Sequence, residues 1–277
     1  MSAIAEKYLR QRLLPHIWCP GCGHGILLGA ILRAIEKVGI DRDKTVMVSG
    51  IGCSSRATGY MDFDTLHTTH GRALAFATGI KIARPDLKVV VVTGDGDAAA
   101  IGGNHLIHAC RRNVDITTVC FNNNVYGMTS GQHSPLTPFG HMATTAPYGN
   151  VDHPFDLCDL VAAAGATFVA RGTAYHVTQL VDLIALALEN KGFSFVEAYS
   201  QCPTYYGRRN KLGSAVDMLE WYKKNSVPVK AAATKDPQEL KGKIVTGVLK
   251  KAPREEFTEE YQRVIDTAMA RLKGGRS

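Results

Sequence analysis

The sequence lacks the features that would place it in a membrane or outside the cell. None of its apolar runs approaches the roughly 18–20 residues needed to cross a bilayer. Residues 1–7 include an acidic side chain and are not followed by an apolar core and a small-residue cleavage site, so we predict no secretion signal. The seven cysteines are odd in number and unevenly spaced, which disfavours a disulfide framework and favours metal or redox chemistry. We therefore expect a cytoplasmic protein without a membrane segment.

Charge is balanced over most of the chain, and an excess of one sign is confined to its end. Residues 1–202 contain 16 basic and 16 acidic residues, whereas residues 203–277 contain 16 basic and 9 acidic residues and supply the whole net charge of +7. This basic extension carries the motif of no familiar nucleic-acid module, so we expect no nucleic-acid partner. We interpret it as a solubilising or subunit-contacting extension, with the binding of an acidic protein as the alternative.

Strand and helix patterns alternate along residues 1–202, which predicts an α/β domain with a mostly parallel sheet, followed by a helical C-terminal tail. The β-branched and apolar runs predict strands at Thr45–Val48, Leu87–Val92, Ile116–Phe121 and Phe193–Ser200. Helices are predicted around residues 26–34, over 72–83 and over 98–110. The α/β body is expected to be complete by Ser200. An irregular run of about 30 residues, 122–154, interrupts the pattern, and such a run in a compact domain is usually functional.

Unusual residues come directly after four of the predicted strands. These segments are Gly52–Ser54, Gly94–Asp97, Asn122–Asn124 and Cys202. In open parallel sheets, ligands bind outside the carboxyl ends of the strands. The sequence therefore predicts that the four segments converge on one site.

Two of these segments have the chemistry of a metal and diphosphate site. Small residues and a helix N-terminus after Gly94 favour a phosphate group, and Asp95 and Asn123 offer the oxygen ligands that Mg²⁺ prefers. Each segment alone is also typical of an ordinary turn. Together, 28 residues apart and each at a strand end, they resemble the motif of thiamine-diphosphate enzymes. That resemblance implies that Asp95, the Asn123 side chain and the Val125 carbonyl hold Mg²⁺, and that the cofactor is lined by Gly96, Asp97, Gly127 and Met128.

The pair Cys19 and Cys22 lies near the amino terminus with no strand pattern before it, which disfavours a thioredoxin-like motif. With two more thiols the pair would complete a set of four, and from these residues alone zinc and an iron–sulfur cluster are both possible. Cys110, Cys120 and Cys158 fall within helix or strand patterns and are predicted to be buried apolar residues.

Taken together, the motifs resemble the thiamine-binding beta subunit of the 2-oxoacid:ferredoxin oxidoreductases over nearly the whole chain. The matching segments are Trp18–His24, Gly50–Arg56, Thr69–Ala73, Gly94–Asp97, Asn123–Gln132 and Gln201–Thr204. The resemblance implies a thiamine-diphosphate-binding fold and a 4Fe–4S cluster held by Cys19, Cys22, Cys53 and Cys202. It also implies cofactor contacts from Ile51, Gly52, Cys53 and Ser54. His24 and His70 are candidates for diphosphate or substrate contact, or equally for structural hydrogen bonds, and His70 and Arg56 are the catalytic candidates.

The same resemblance implies the reversible, coenzyme A-dependent oxidative decarboxylation of a 2-oxoacid, with electrons passed to ferredoxin. No second α/β domain is visible, so an alpha subunit should supply the pyrimidine-binding domain in an (αβ)₂ assembly. Residues 202–210 are similar to the branch of the family that acts on 2-oxoglutarate. This substrate has a second carboxylate, and an arginine at position 56, 208 or 209 is suited to bind it: Arg56, Arg208 or Arg209. The two arginines at 208 and 209 could equally serve subunit contact. The alternatives are a pyruvate or broad-specificity enzyme, a non-redox thiamine decarboxylase or carboligase subunit, and a zinc-binding protein that is not an enzyme.

Overall fold

The structure is a computed structural model that describes residues 3–274; Met1 and Ser2, at the start of the segment inspected for a secretion signal, lie outside it. The helices are α1 (Ala3–Tyr8), α2 (His24–Val38), α3 (Arg56–Tyr60), α4 (Ala73–Ala83), α5 (Gly103–Arg112), α6 (Leu157–Ala163), α7 (Val177–Glu189), α8 (Ala215–Asn225), α9 (Val229–Ala232) and α10 (Phe257–Gly274). The strands are β1 (Thr45–Ser49), β2 (Asp64–His67), β3 (Lys88–Gly94), β4 (Thr117–Asn122), β5 (Val125–Tyr126), β6 (Gln132–His133), β7 (Phe168–Thr173), β8 (Ser194–Tyr199), β9 (Ser226–Pro228) and β10 (Ile244–Lys251).

Eight of these strands form one sheet in the order β2-β1-β3-β4-β8-β7-β10-β9. Every pair from β2 across to β7 is parallel, as the alternation of strands and helices predicts. The short strands β5 and β6 form a separate hairpin within the irregular run. The parallel strands therefore present their carboxyl ends along one edge of the sheet.

The central strands β1, β3, β4, β7 and β8 are buried on both faces, so this part of the sheet lies between two layers of helices. Side chains alternate along β3: Val90 and Val92 belong to one apolar core, and Val89 and Val91 belong to the other. Helices α2 and α7 contribute to the first core, and α4, α5 and α6 contribute to the second. Burial on both faces explains why β3 reads as a continuous β-branched run rather than an alternating one.

The C-terminal extension contributes to the same sheet, which corrects the expectation that the α/β body is complete by Ser200. Strand β10 pairs antiparallel with β7, placing Val248 opposite Ala170, and β9 pairs parallel with β10. Residues 203–274 are thus helical only in part. That the extension over residues 203–277 contacts another subunit stays a prediction, and its last three residues, 275–277, lie outside the described residues.

The helix predicted over residues 98–110 is divided in two, which corrects its expected start. Residues Asp97–Ile101 form a π-helical turn, and α5 begins at Gly103. A Cβ on Gly102 would collide with the Asp97 carbonyl oxygen, so the change of helix type requires glycine there. Single π turns of this kind are frequent at functional sites. Among the helices of residues 3–274, none is both long and apolar enough to span a bilayer.

Candidate active site

The carboxyl ends of β1, β3 and β4 open onto one cavity. It is lined by every residue for which the family resemblance implies a cofactor contact: Ile51–Ser54, His70, Gly96–Asp97 and Gly127–Met128. Ile51 and Met128 are partly exposed at its mouth. The structure thus brings together segments that are separated by up to 77 residues in the chain. The contacts themselves stay predictions.

The three oxygen groups predicted to hold magnesium meet at the floor of this cavity. The side-chain amide of Asn123 ends in an oxygen and a nitrogen, and one of these two atoms faces Asp95 and Val125. That atom lies 2.7 Å from the Val125 carbonyl oxygen and 3.1 Å from Asp95 Oδ1. If that atom is the amide nitrogen, it donates to both oxygens; if it is the amide oxygen, three oxygens converge as a hard divalent cation requires. The chemistry of the three groups therefore fits Mg²⁺, and magnesium binding stays a prediction.

Asp95 is almost fully buried at this point. Burial raises the pKa of its carboxyl group to about 7, against the hydrogen bond from Ser134 Oγ, which lowers it. A buried carboxylate of this kind gains most from a cation beside it. Sequence reasoning missed Ser134, because one serine inside a long irregular run carries no signal of its own.

Asp97 holds neighbouring segments of the chain together through hydrogen bonds to its carboxylate. Its carboxylate accepts hydrogen bonds from the Gly71 amide at 2.7 Å, from Thr93 Oγ1 at 2.8 Å and from the Ile51 amide at 3.3 Å, and it pairs with Nδ1 of His70. These partners come from three separate segments. Asp97 therefore fixes the loop at Ile51 and the ring of His70 against the end of β3.

Gly96 lies directly beneath an aromatic ring. A Cβ at this position would collide with the ring of Tyr126, whose hydroxyl donates to the Gly96 carbonyl oxygen at 3.1 Å. Burial raises the pKa of Tyr126 to about 12, so the hydroxyl keeps its proton. Across the cavity, Gly52 adopts a φ of +106°, a conformation that glycine favours. Tyr126 was not singled out from the sequence, although it lies within the segment that resembles the family.

Hydrogen bonds tie together the segments that carry the four predicted cluster cysteines. The indole Nε1 of Trp18, next to Cys19, donates to the Cys53 carbonyl oxygen at 2.7 Å. The side chain of Gln201, next to Cys202, donates to the Gly21 carbonyl oxygen at 3.0 Å. The Gly23 amide donates in turn to the carbonyl oxygen of Gln201 at 3.1 Å. Three distant segments are thus held in one place.

The four thiols predicted to hold a cluster lie near one another. Burial raises the pKa of Cys22 and of Cys53 to about 12, and neighbouring thiols of the set contribute to the increase in both. In residues 3–274, no three His, Cys, Asp or Glu side chains lie close enough to hold one metal ion. A set of four cysteines is the usual ligand set of an iron–sulfur cluster, and that these four hold one stays a prediction. Cys19 is exposed and Cys202 is buried.

The other three cysteines are buried in the second apolar core, as predicted: Cys110, Cys120 and Cys158.

Arg56, one of the two catalytic candidates, does not line the cavity. It is exposed at the first residue of α3, where its charge adds to the effect of burial in lowering the pKa of His67. Arg208 and Arg209 are likewise exposed. None of the three arginines is brought into the cavity by this chain alone.

His70 and His24 both line the cavity. The ring of His70 is 38% exposed, whereas that of His24 is buried. Burial lowers the pKa of His24 to about 3, so its ring is neutral at neutral pH. The sequence left diphosphate or substrate contact and structural hydrogen bonding equally open for both histidines. Each lines the cavity and makes a side-chain hydrogen bond, and contact with a ligand stays a prediction.

A buried polar network supports the asparagine turn from below. Glu197, in the middle of β8, accepts from Asn122 Nδ2 at 2.8 Å and from Arg171 Nε at 2.7 Å. The Asn122 side chain accepts in turn from the Asn124 amide at 3.0 Å. Arg171 also pairs with Asp156 at 2.6 Å. The network links β7 and β8 to the residues on either side of Asn123. The sequence analysis did not identify it, because its members are spread over more than 70 residues.

Comparison with known proteins places this site in a described family. Residues 50–198 match the family model described as the thiamine pyrophosphate enzyme, C-terminal TPP binding domain. The chain is 54% identical over 266 residues to the 2-oxoglutarate synthase subunit KorB of Methanothermobacter marburgensis, covering 96% of this chain and 93% of the relative. It is 56% identical over 262 residues to the protein of the same name from Methanocaldococcus jannaschii, covering 95% and 97%.

More distant relatives carry related names. The 2-oxoacid:ferredoxin oxidoreductase subunit beta of Sulfolobus sp is 39% identical over 254 residues, which cover 91% of this chain and 77% of that protein. Among solved structures, a chain of the 2-oxoglutarate:ferredoxin oxidoreductase from Magnetococcus marinus with 2-oxoglutarate, coenzyme A and succinyl-CoA bound is similar, with a TM-score of 0.85 and 36% identity. The match covers 95% of this chain and 90% of that one.

Proposed function

The chain belongs to the family of 2-oxoacid:ferredoxin oxidoreductase beta subunits, and we propose on that premise that it is the thiamine-diphosphate-binding subunit of an enzyme for 2-oxoglutarate. The reaction is the reversible conversion of 2-oxoglutarate and coenzyme A to succinyl-CoA and CO₂. A 4Fe–4S cluster held by Cys19, Cys22, Cys53 and Cys202 would supply the path by which the two released electrons reach ferredoxin. Relatives at more than half identity that are named for 2-oxoglutarate favour this substrate over pyruvate.

One observation carries the proposal: a single loop serves the cavity and the thiol set at once. Ile51–Ser54 lines the cavity, and within it Cys53 is held by Trp18 beside the Cys19–Cys22 segment. The Cys53 sulfur lies 3.3 Å from where a Cβ of Gly127, on the opposite wall, would stand. A cluster held by Cys53 would border the cofactor directly. A non-redox decarboxylase has no use for that arrangement.

When bound, thiamine diphosphate supplies the electron sink that makes loss of CO₂ from a 2-oxoacid possible. Asp95, Asn123 and the Val125 carbonyl would hold Mg²⁺ and thereby the diphosphate. Asp97 and Tyr126 fix the loops that line the cavity, as their hydrogen bonds indicate. The buried side chains of Phe121 and Val125, which also line the cavity, would keep water away from a cofactor bound there.

The partner chain completes the active site in this proposal. Thiamine enzymes use an acidic side chain that contacts the aminopyrimidine ring of the cofactor, and no residue of the described chain has been identified in that role. An alpha subunit would therefore supply the pyrimidine-binding domain and the coenzyme A site, in an (αβ)₂ assembly. Arg56 or Arg208 would bind the second carboxylate of 2-oxoglutarate once the partner covers the cavity. His70 would act at the reacting end, oriented by Asp97. A cytoplasmic location is part of the proposal, since a cytosolic electron carrier is its co-substrate.

The test is anaerobic co-expression with the alpha subunit of the same organism, followed by metal analysis and assays of ferredoxin reduction with a panel of 2-oxoacids. We expect iron and sulfide in a 4Fe–4S ratio, and turnover with 2-oxoglutarate well above that with pyruvate. Equal or higher turnover with pyruvate would support the broad-specificity alternative. CO₂ release without ferredoxin reduction would support a non-redox decarboxylase. Zinc in place of iron, with no turnover, would contradict the proposal altogether.

A further inference from the structure

His24 joins the cysteine segments to the cofactor cavity. Its Nδ1 lies 3.2 Å from Cys22 Sγ, and its ring lines the cavity. We propose that His24 tunes electron transfer: its Nδ1–H donates a hydrogen bond to the sulfur of Cys22 when that sulfur is a cluster ligand, and this bond raises the reduction potential of the cluster. The inference rests on the proposed function and deepens it by assigning a residue to the electron path.

The surroundings of the ring determine which nitrogen carries the proton. His24 is only 1% exposed and packs between Phe121 and Trp18, with ring centroids 5.1 and 5.9 Å away. A neutral imidazole has one N–H, and its position is set by the partner it finds. Within the described part of the chain, Cys22 is the polar side chain that its ring contacts. A thiolate ligand only accepts, so the proton belongs on Nδ1.

Packing alone does not account for a histidine at this position. A phenylalanine would fill the same space between two aromatic rings without burying a polar nitrogen, which is costly when it is unpaired. Hydrogen bonds to the sulfurs are among the factors that set the potentials of iron–sulfur clusters. Reduction adds negative charge to the cluster and its ligands, so a donor at Cys22 stabilises the reduced form more than the oxidised form. His24 is thus a positioning residue that acts through Cys22.

The experiment is a redox titration of the assembled holoenzyme, monitored by electron paramagnetic resonance, for the wild type and two variants. His24→Phe keeps a ring and loses the donor. His24→Asn loses the ring and keeps an amide near the position of Nδ1. We expect His24→Phe to weaken cluster reduction about tenfold, which is a shift of about 59 mV to more negative potential for one electron. We expect His24→Asn to restore most of the difference.

A matched control is His16→Phe. His16 is exposed in the same segment, and its ring centroid lies 5.0 Å from that of Trp18, yet it contacts none of the four thiols. Its replacement should leave the potential unchanged. An unshifted potential in His24→Phe at full iron content would overturn the inference, as would an equal shift in His24→Asn.

A second measurement covers the case in which His24→Phe fails to bind iron. In wild-type enzyme labelled with ¹⁵N-histidine, pulsed electron paramagnetic resonance of the reduced cluster should detect a weak ¹⁵N coupling through the hydrogen bond. Absence of that coupling would overturn the inference. These results are distinct from a failure of the proposed function: a wild type with a reducible cluster and 2-oxoglutarate turnover, but no effect of His24, would contradict the inference alone. A wild type without a 4Fe–4S cluster would contradict both.

Discussion

Asp95 has a different partner for each of its two oxygens: Oδ1 faces the Asn123 amide, and Oδ2 accepts from Ser134. We predict that Asp95→Asn, which keeps the shape and removes the charge, lowers the affinity for Mg²⁺ and thiamine diphosphate by about 100-fold or more. Removing a residue that only hydrogen-bonds to a metal ligand typically lowers the metal affinity about 10–100-fold. Asp95 is itself a proposed ligand, so the loss should be at least as large. Isothermal titration calorimetry measures the affinity, and the iron content should stay at the wild-type level.

Asp86→Asn is the control for that substitution. Asp86 is an exposed carboxylate paired with Arg84, far from the cavity. Its loss should leave the affinity for thiamine diphosphate unchanged. If Asp95→Asn bound Mg²⁺ and the cofactor as tightly as Asp86→Asn, Asp95 would not be a ligand.

The choice of fourth cluster ligand is tested by comparing two buried cysteines. We predict that Cys202→Ser loses the 4Fe–4S signal of the reduced enzyme, because Gln201 ties this residue to the Cys19–Cys22 segment. Cys158→Ser should keep the signal, since Cys158 lies in the apolar core beside Glu197 and its replacement retains a donor. Electron paramagnetic resonance and iron analysis measure both. The reverse result would mean that the ligand set is wrong.

Residues that carry the chemistry were more predictable than residues that position them. Asp95, Asn123, Cys53 and Cys202 belong to short motifs that follow strands, and the topology of a parallel sheet brings strand ends together. Ser134 and Glu197 were missed because their roles depend on contacts between segments that have no fixed spacing. Arg56 lies beside the predicted site in sequence but points to solvent, since adjacency in the chain does not fix the direction of a side chain.

At the scale of elements, the turn from β3 into the π-helical turn depends on Gly96. We predict that Gly96→Ala lowers the affinity for thiamine diphosphate about tenfold, because the added methyl group displaces the Tyr126 ring and overpacking costs about 1–3 kcal/mol. Gly103→Ala is the matched control: it meets open space at the start of α5 and should be neutral or slightly stabilising. Calorimetric titration of both variants tests this, and equal affinities would contradict the role assigned to Gly96.

The network of Glu197, Arg171 and Asn122 couples three strands. We predict that Glu197→Gln lowers the free energy of unfolding by about 3 kcal/mol, since removing one partner of a buried ion pair leaves the other charge poorly compensated. Equilibrium urea unfolding of the chain measures it. Asp182→Asn breaks an exposed pair with Lys37 and should cost at most about 1 kcal/mol. Equal effects of the two substitutions would contradict the importance of the network.

The central strands were predicted to within about two residues because burial on both faces leaves a continuous β-branched run. Strand β10 was missed because it lacks such a continuous run: it ends in two lysines, Lys250 and Lys251. It also joins the sheet from the far end of the chain. Its pairing with β7 is long-range and antiparallel, and no local pattern encodes that choice of partner. The predicted thiamine-diphosphate-binding fold is confirmed by the family match and by the solved relative.

At the scale of the whole molecule, α10 extends from the body with its side chains exposed from Tyr261 to Lys273. One side carries apolar residues, among them Val264, Ile265 and Leu272. We predict that Leu272→Lys weakens co-elution with the alpha subunit in size-exclusion chromatography, whereas Ala270→Lys, on the opposite side, does not. Added salt should have little effect, because apolar contacts would dominate and exposed ion pairs contribute only about 0–1 kcal/mol each.

Identical co-elution of the two lysine variants would show that α10 is not a subunit contact. The body should stay folded in both, since the residues of α10 beyond Glu260 are exposed and contribute nothing to the two cores. In α8, Trp221 is 47% exposed beside Tyr222. It is a second candidate for the same surface.

Both edges of the sheet are short. One edge strand, β2, has four residues, and the other, β9, has three and ends in Pro228, which has no N–H to offer. Neither edge presents a long row of free backbone groups, so the sheet resists the edge-to-edge aggregation to which open strands are prone. A backbone edge also accepts almost any extended chain, whereas side chains on loops and helices discriminate between partners. Because the edge strands are short, the correct partner subunit has to be recognised, among all the proteins of the cell, by side chains on other surfaces, which can be selective.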